Sequence, residues 1–259
     1  MGLRQLFNRR RLPGTIGVLI LALLFIRLGF WQLDRLAQRK QLAEQTRMNL
    51  AAPPLVLSGE NIPSDFTGMI YRHIIVSGYY DFDGEVVLRN QNWIDNNGVH
   101  HNGVHLLTPL RIAGSELAVL VDRGWIPVSL GDEANRSAFR QMGLVSVQGV
   151  LRAPQTKSQM GLVREPTLPP GETRRDKWNF ANVRAIEEQA GYPLLDVYVQ
   201  EEPTGLDAAL PYTKKLAPDT SQGAHLGFAF QWFSLALIIL IGYPIVVRKQ
   251  ETPTLGSEN

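Results

Sequence analysis

A histidine at the start of the second apolar segment carries the most specific chemical signal in the sequence. His225 opens the run HLGFAFQWFSLALIILIGYPIVV, and helical spacing places Phe228 (i+3) and Trp232 (i+7) on its face. Trp232 would lie about 10 Å deeper at 1.5 Å rise per residue. An imidazole over an aromatic, apolar wall is suited to ligating a haem iron axially. The alternative is an interfacial histidine whose neighbouring aromatics pack against another helix.

Three other histidines, His100, His101 and His105, cluster in WIDNNGVHHNGVHLL. Imidazole is the commonest metal-binding side chain, so a metal site is one interpretation of this cluster. A solvated hairpin loop is the other, because no cysteine, methionine or acidic ligand set completes a site. His73 alternates within a predicted strand and is expected to be structural or exposed.

The remaining composition excludes several classes of protein. The 259 residues contain no cysteine, which rules out disulfides, thiolate metal sites and covalent attachment of c-type haem. The net charge of +2 gives no support for nucleic-acid binding. The nucleophile elbow, the zinc-protease motif, the P-loop and the Rossmann fingerprint are all missing. We therefore predict a protein that is not an enzyme and does not bind nucleic acid.

Two apolar segments are long enough to cross a bilayer. Residues 14–33 and 225–247 each approach or exceed the roughly 20 residues that a membrane helix needs. A signal peptide is the rival interpretation of the first segment. Its apolar region would be shorter and would lead to a small-residue cleavage site, which is missing after Trp31. An uncleaved anchor is therefore predicted.

Basic residues predict the orientation of these segments. Four arginines precede the first segment, and Arg248 and Lys249 follow the second. The protein is then expected to cross the inner (plasma) membrane of a cell twice. The positive-inside rule places both tails, residues 1–13 and 248–259, in the cytoplasm. Residues 34–224 would form a periplasmic or extracytoplasmic domain, even though Arg35, Arg39 and Lys40 weaken the signal.

The middle region reads as a helical stalk followed by a β-rich domain. Residues 34–50 are polar helix formers that end before Pro53-Pro54, and Asn182 and Gly191 can cap a short helix over Val183–Ala190. Period-two alternation predicts six strands: Arg72–Asp81, Glu85–Gln91, Gly103–Ile112, Leu117–Pro127, Val145–Ala153 and Leu195–Gln200. Residues 155–177 read as a surface loop. The expected fold class is an α+β membrane protein whose two transmembrane helices flank a mainly antiparallel sheet or small barrel.

Five motifs in order resemble the surfeit locus protein 1 family of cytochrome c oxidase assembly factors. The first, LGFWQLDRLAQRK, begins at the end of the first segment, and the last, HLGFAFQWF, opens the second. Between them the domain contains GYYDFDGEVVLRNQ, GVHLLTPL and VDRGWIPV. The departures are Phe228 where tyrosine is common, Asp122 where asparagine often stands, and Ala224 before the key histidine. The Phe228 departure removes any hydroxyl role at that position.

The resemblance implies a non-enzymatic, chaperone-like role in respiratory chain biogenesis. Its expected partners are oxidase subunit I, haem a synthase and the lipid bilayer, and its expected cofactor is transiently bound haem a. Carried over, the haem ligand is His225, with Phe228 and Trp232 beside it. Arg27 and Arg35 would pair with haem propionates, or serve only as interfacial anchors. The alternative function is a haem-independent membrane scaffold that stabilises subunit I.

Overall fold

The computed structural model describes residues 8–59, 61–95, 97–156, 165, 168, 171, 174–203, 205, 209–216 and 225–249. Its helices are α1 (Leu12–Ala51), α2 (Glu133–Arg136), α3 (Val183–Ala190) and α4 (His225–Lys249). Its strands are β1 (Leu55–Leu57), β2 (His73–Tyr80), β3 (Val86–Ile94), β4 (His100–Ile112), β5 (Ala118–Pro127), β6 (Val145–Arg152), β7 (Lys177–Trp178) and β8 (Leu194–Glu201). They form two compact units, a helical unit within residues 1–44 and 219–259 and a β unit of residues 45–218.

The helical unit is an antiparallel pair formed by α1 and α4. Each helix contains a stretch long and apolar enough to cross a membrane, with mean hydropathy of 2.1 and 2.0. Small buried residues recur every seven positions along the contact, at Thr15, Ala22 and Gly29 on α1 and at Ala229 and Ala236 on α4. Small residues at heptad spacing let two membrane helices approach closely.

Specific contacts fix the alignment of this pair. A β-carbon on Gly29 would lie 2.6 Å from the Phe233 ring, so only glycine fits there. The Thr15 and Tyr243 hydroxyls lie 3.0 Å apart near the opposite end of the contact. The outward faces carry exposed leucine, isoleucine and phenylalanine, as expected of helices whose solvent is lipid.

The β unit is built around a closed ring of five strands. The order β2-β6-β8-β5-β4 returns to β2 through an additional β2–β4 pairing. Pairing is antiparallel throughout this ring except between β5 and β8. β1 adds to β2 in parallel, while β3 and β7 extend the sheet beyond β4. The alternation predicted a mainly antiparallel sheet or small barrel, and the β2–β4 pairing makes it a barrel.

The barrel buries one core inside and another beneath α3. The inner core includes Ile74, Val76, Leu110, Val121 and Val199, all at most 1% exposed. The outer core joins α3 to the sheet, with Val183 and Ile186 packed among residues such as Leu107, Leu120 and Trp178. Because alternate residues of one strand enter different cores, β5 is buried almost throughout.

All six predicted strands are present with ends shifted by at most three residues. The prediction of α3 and of both its caps is confirmed. The Asn182 side chain accepts a hydrogen bond from the Ala185 N–H, and Gly191 has a left-handed conformation with φ of 75°. β1, β7 and α2 were not predicted, since two to four residues are too few to show a period. The loop prediction for residues 155–177 is wrong at its end, because Lys177 belongs to β7. Most of the rest of that segment lies outside the described residues.

Two glycines allow the barrel to close and bend. A β-carbon on Gly78 would lie 2.1 Å from the Arg111 carbonyl oxygen, at the point where β2 leaves β6 for β4. Gly124 has φ 109° and lies where the β4–β5 register shifts between His105 and Leu107. This is a β-bulge, and glycine accepts the positive φ that it requires.

A buried ionic cluster joins Glu85, the residue before β3, to side chains on β4, β5 and α2. Glu85, Arg123 and Arg136 are only 5%, 3% and 2% exposed. Glu85 Oε2 accepts from the Thr108 hydroxyl at 2.6 Å and from Arg123 Nη1 at 3.3 Å. Arg136 Nε lies 3.9 Å from Glu85 Oε1. Arg136 Nη2 also pairs with Asp176 Oδ1 at 2.5 Å. Charges this deeply buried are tolerated only when they are paired, so Glu85 compensates Arg123 and shares Arg136 with Asp176.

Candidate functional site

A groove lies between α1 and α4 at one end of the helix pair. It has a volume of about 470 Å³, within the range typical of small-molecule sites. Eight side chains line it: Trp31, Gln32, Arg35, Gln38, Arg39, Leu42, His225 and Phe228. We call it the His225 groove. Both helices contribute, so the groove exists only when the pair is formed.

A single hydrogen bond orients His225. Its Nδ1 lies 2.8 Å from the Gln32 side-chain oxygen, 193 residues earlier in the chain. An amide oxygen has no proton to give, so Nδ1–H is the donor. In the neutral imidazole Nε2 then carries no proton, and its lone pair is available to bind a metal. Among the described residues no group hydrogen-bonds Nε2, so this nitrogen remains able to ligate a metal.

The polar side of the groove is basic. Arg35 donates to Gln38 at 3.1 Å, and Arg39 lies one turn further along α1. No carboxylate within the described ranges lies at ion-pair distance from either guanidinium. Arg27 does not line the groove and lies on an exposed face of α1. Of the two arginines considered for propionate pairing, Arg35 lines the groove and Arg27 does not. Arg39, which was not considered, lines the groove as well.

The three predicted site residues are not all in one place. Phe228 lines the groove beside His225 and is 49% exposed. Trp232 lies deeper between the helices, with its ring centroid 5.5 Å from that of Phe25. It does not line the groove. The packing of Trp232 against α1 matches the alternative that the spacing left open, while His225 and Phe228 share the wall.

The sequence alone did not single out Gln32, Gln38, Arg39 or Leu42. Gln32 was visible only as a polar residue at the end of an apolar segment, inside the motif LGFWQLDRLAQRK. Its partnership with His225 depends on the alignment of two helices distant in sequence. A residue's place on a helix face can be predicted from spacing, but its partner on another helix cannot.

The other histidines have separate partners. His100, His101 and His105 all lie on β4, so the interpretation of a hairpin loop is wrong for them. His101 Nε2 lies 3.0 Å from Asp95, and His73 Nδ1 lies 3.0 Å from Glu202. Within the described part of the chain, no three His, Cys, Asp or Glu residues are grouped to hold a metal.

His105 forms a largely buried pair with Asp122 on β5. Its Nδ1 lies 2.9 Å from each carboxylate oxygen, and Asp122 Oδ1 also accepts from the Gly124 N–H. Burial opposes protonation of the imidazole, but attraction to the Asp122 charge and the hydrogen bond to it outweigh burial and raise the pKa of His105. The pair borders a cavity of about 210 Å³ together with Trp93 and Tyr212.

This pair predicts a pH dependence of stability. Because the folded-state pKa of His105 lies above its ordinary value of 6.5, its contribution is complete below that pH. It is lost as the pH rises through the raised pKa. We expect the free energy of unfolding to differ more between wild type and His105→Gln at about pH 5.5 than at about pH 8.5. Denaturant titrations at both pH values measure this, and an equal difference at both would contradict it.

The folded units define the class of protein. Two helices able to span a membrane are joined in sequence by a β-barrel unit, and a groove between the helices presents a histidine. Residues 19–237 match the family model described as "SURF1 family", and the chain belongs to this family of cytochrome c oxidase assembly factors. The family assignment confirms the resemblance carried by the five motifs.

Individual relatives agree with this membership. A "SURF1-like protein" of Rickettsia bellii is 26% identical over 240 residues, covering 89% of both chains. "Surfeit locus protein 1" of Homo sapiens is 22% identical over 225 residues, covering 81% of this chain and 69% of the human one. The mouse protein of the same name is 21% identical over 223 residues, covering 80% of this chain and 67% of the mouse one.

Proposed function

We propose that this protein binds haem a transiently in the His225 groove and assists its insertion into subunit I of a haem–copper cytochrome c oxidase. The observation that carries the proposal is the His225–Gln32 hydrogen bond of 2.8 Å, which leaves Nε2 available at the groove. A histidine imidazole is the proximal ligand of haem iron in globins and peroxidases. The role is one of binding and transfer, with no catalytic residue assigned.

The rest of the groove suits the same cargo. Phe228, Trp31 and Leu42 offer apolar and aromatic contact to a porphyrin face. Arg35 and Arg39 offer guanidinium groups for the two propionates. A single histidine and a volume of about 470 Å³ open to the surroundings favour release over permanent retention. These features support a carrier and do not require covalent attachment.

The proposed location is the inner (plasma) membrane of a cell, crossed by α1 and α4. Arg9, Arg10 and Arg11 precede the apolar stretch of α1, and Arg248 and Lys249 end α4. The positive-inside rule then places both termini in the cytoplasm and the β unit outside. The His225 groove would lie at the outer interface, where apolar cargo and charged propionates can both be accommodated.

Replacing His225 with alanine tests the proposal. We expect wild-type protein purified in detergent from cells that make haem a to carry haem, with Soret and α bands typical of axial histidine. His225→Ala should accumulate normally, lose more than about tenfold in haem affinity, and show shifted bands in any residual haem. Trp232→Ala should weaken binding less and shift the bands less, since Trp232 packs on Phe25.

His101→Ala is the matched control, because His101 pairs with Asp95 in the β unit. Unchanged occupancy and unchanged bands in His225→Ala would remove His225 as the ligand. If instead wild type carried no haem a but still supported oxidase assembly, the scaffold function would replace the carrier function.

A further inference from the structure

We propose that Gln32 is a positioning residue that holds His225 in the tautomer able to ligate iron and keeps that ligation exchangeable. The inference deepens the proposed function and rests on it for the identity of the ligated group. Gln32 itself would not touch the iron. Its role is exerted through one hydrogen bond between two membrane helices.

The geometry gives Gln32 a single consistent role. Its side-chain oxygen accepts from Nδ1–H, which excludes the tautomer that carries the proton on Nε2. Metal-ligating histidines nearly always donate their second ring N–H to a carboxylate, a carbonyl or water, and this partner sets the ring orientation. Both residues are half-buried and line the same groove, so the bond is sheltered where the ligand would bind.

The amide is also the chemically appropriate partner for a carrier. A carboxylate that accepts from Nδ1–H raises the basicity of the other nitrogen and strengthens its bond to a metal. A neutral carboxamide orients the ring without adding a negative charge, so the ligand stays a weaker donor. His105 offers the contrast within this chain, because its Nδ1 faces the Asp122 carboxylate. The chain thus pairs the largely buried imidazole of His105 with a carboxylate and the half-buried imidazole of His225 with an amide.

Two substitutions separate orientation from charge. Gln32→Leu removes the acceptor at similar size, and we expect haem affinity to fall about 10–100-fold with a band shift toward that of His225→Ala. Gln32→Glu restores the acceptor, so haem binding should return, with a lower reduction potential and slower exchange of haem to an apo-acceptor protein. Gln41→Leu is the control, since Gln41 is exposed on α1 outside the groove.

A second readout needs no haem. Ring ¹⁵N NMR in detergent, with the His225 signals assigned by difference from His225→Ala, should show an unprotonated Nε2 in wild type. Gln32→Leu should show a mixture of tautomers, while Gln41→Leu should match wild type. An unchanged tautomer and unchanged haem affinity in Gln32→Leu would overturn the inference even if His225 were the ligand. If wild type showed no haem spectrum, the proposed function would be overturned. The NMR comparison would still decide whether Gln32 sets the tautomer of His225.

Discussion

Replacing Glu85 with glutamine is expected to lower the free energy of unfolding of the β unit by about 3–5 kcal/mol. The substitution keeps the size of the side chain and an oxygen that can accept from Thr108. It removes the negative charge that faces Arg123 at 3.3 Å and Arg136 at 3.9 Å. Both guanidinium groups are almost fully buried, so neither can recover its hydration in the folded state.

Equilibrium unfolding of the full chain in detergent, followed by tryptophan fluorescence, measures this loss. Asp196→Asn is the matched control, because Asp196 lies 3.9 Å from Arg184 with both side chains more than 60% exposed. An exposed pair of this kind contributes roughly 0–1 kcal/mol. If Glu85→Gln lowers the free energy of unfolding as little as the control does, Asp176 is sufficient for Arg136 and the Glu85 charge is not needed by Arg123.

Trp125→Ala is expected to lower the free energy of unfolding by about 3–5 kcal/mol and to reduce the amount of protein in the membrane. Trp125 is 4% exposed and stacks on Tyr212, with ring centroids 6.0 Å apart and planes within 5°. Trp93 lies 6.1 Å away, and the indole N–H donates to the Gln91 carbonyl at 3.3 Å. Alanine would leave a cavity among these rings and an unpaired carbonyl.

Trp125→Phe distinguishes packing from hydrogen bonding, since it keeps an aromatic ring but loses the N–H. It should cost about 1–2 kcal/mol less than the alanine substitution. Quantitative blotting of membranes and denaturant titration of the purified variants give both numbers. Normal abundance and stability of Trp125→Ala combined with lost oxidase activity would contradict a structural role and indicate a docking surface.

Local periodicity and end signals determined much of the fold. Each predicted strand depended on alternation within six to eleven residues, and α3 on the caps at Asn182 and Gly191. The same holds for the two apolar helices, because a stretch of about 20 apolar residues needs no partner to reveal its environment. Signals of this kind are carried by neighbouring residues, so the sequence displays them directly.

The buried ionic cluster could not be predicted from local sequence signals. Glu85, Arg123 and Arg136 have the polarity of surface residues, and spacing alone would place them outside the core. They are buried because the fold brings the start of β3 close to β5 and α2. Glu85 then lies beside both Arg123 and Arg136. The same applies to His105, whose neighbour Asp122 lies 17 residues away on the adjacent strand. Pairing across strands depends on register, which a single strand does not encode.

By itself the sequence determined the two apolar segments long enough to cross a membrane, the six principal strands and the family, and it singled out His225 as a candidate. Those features follow from composition, from period and from contiguous motifs. Only the tertiary structure decided that the sheet closes through β2–β4, that Trp232 packs on Phe25, and that Gln32 and Arg39 join His225 in one groove. The reason is physical: closure and grooves arise from contacts between elements far apart in the chain, and side chains 193 residues apart meet only once two helices have aligned.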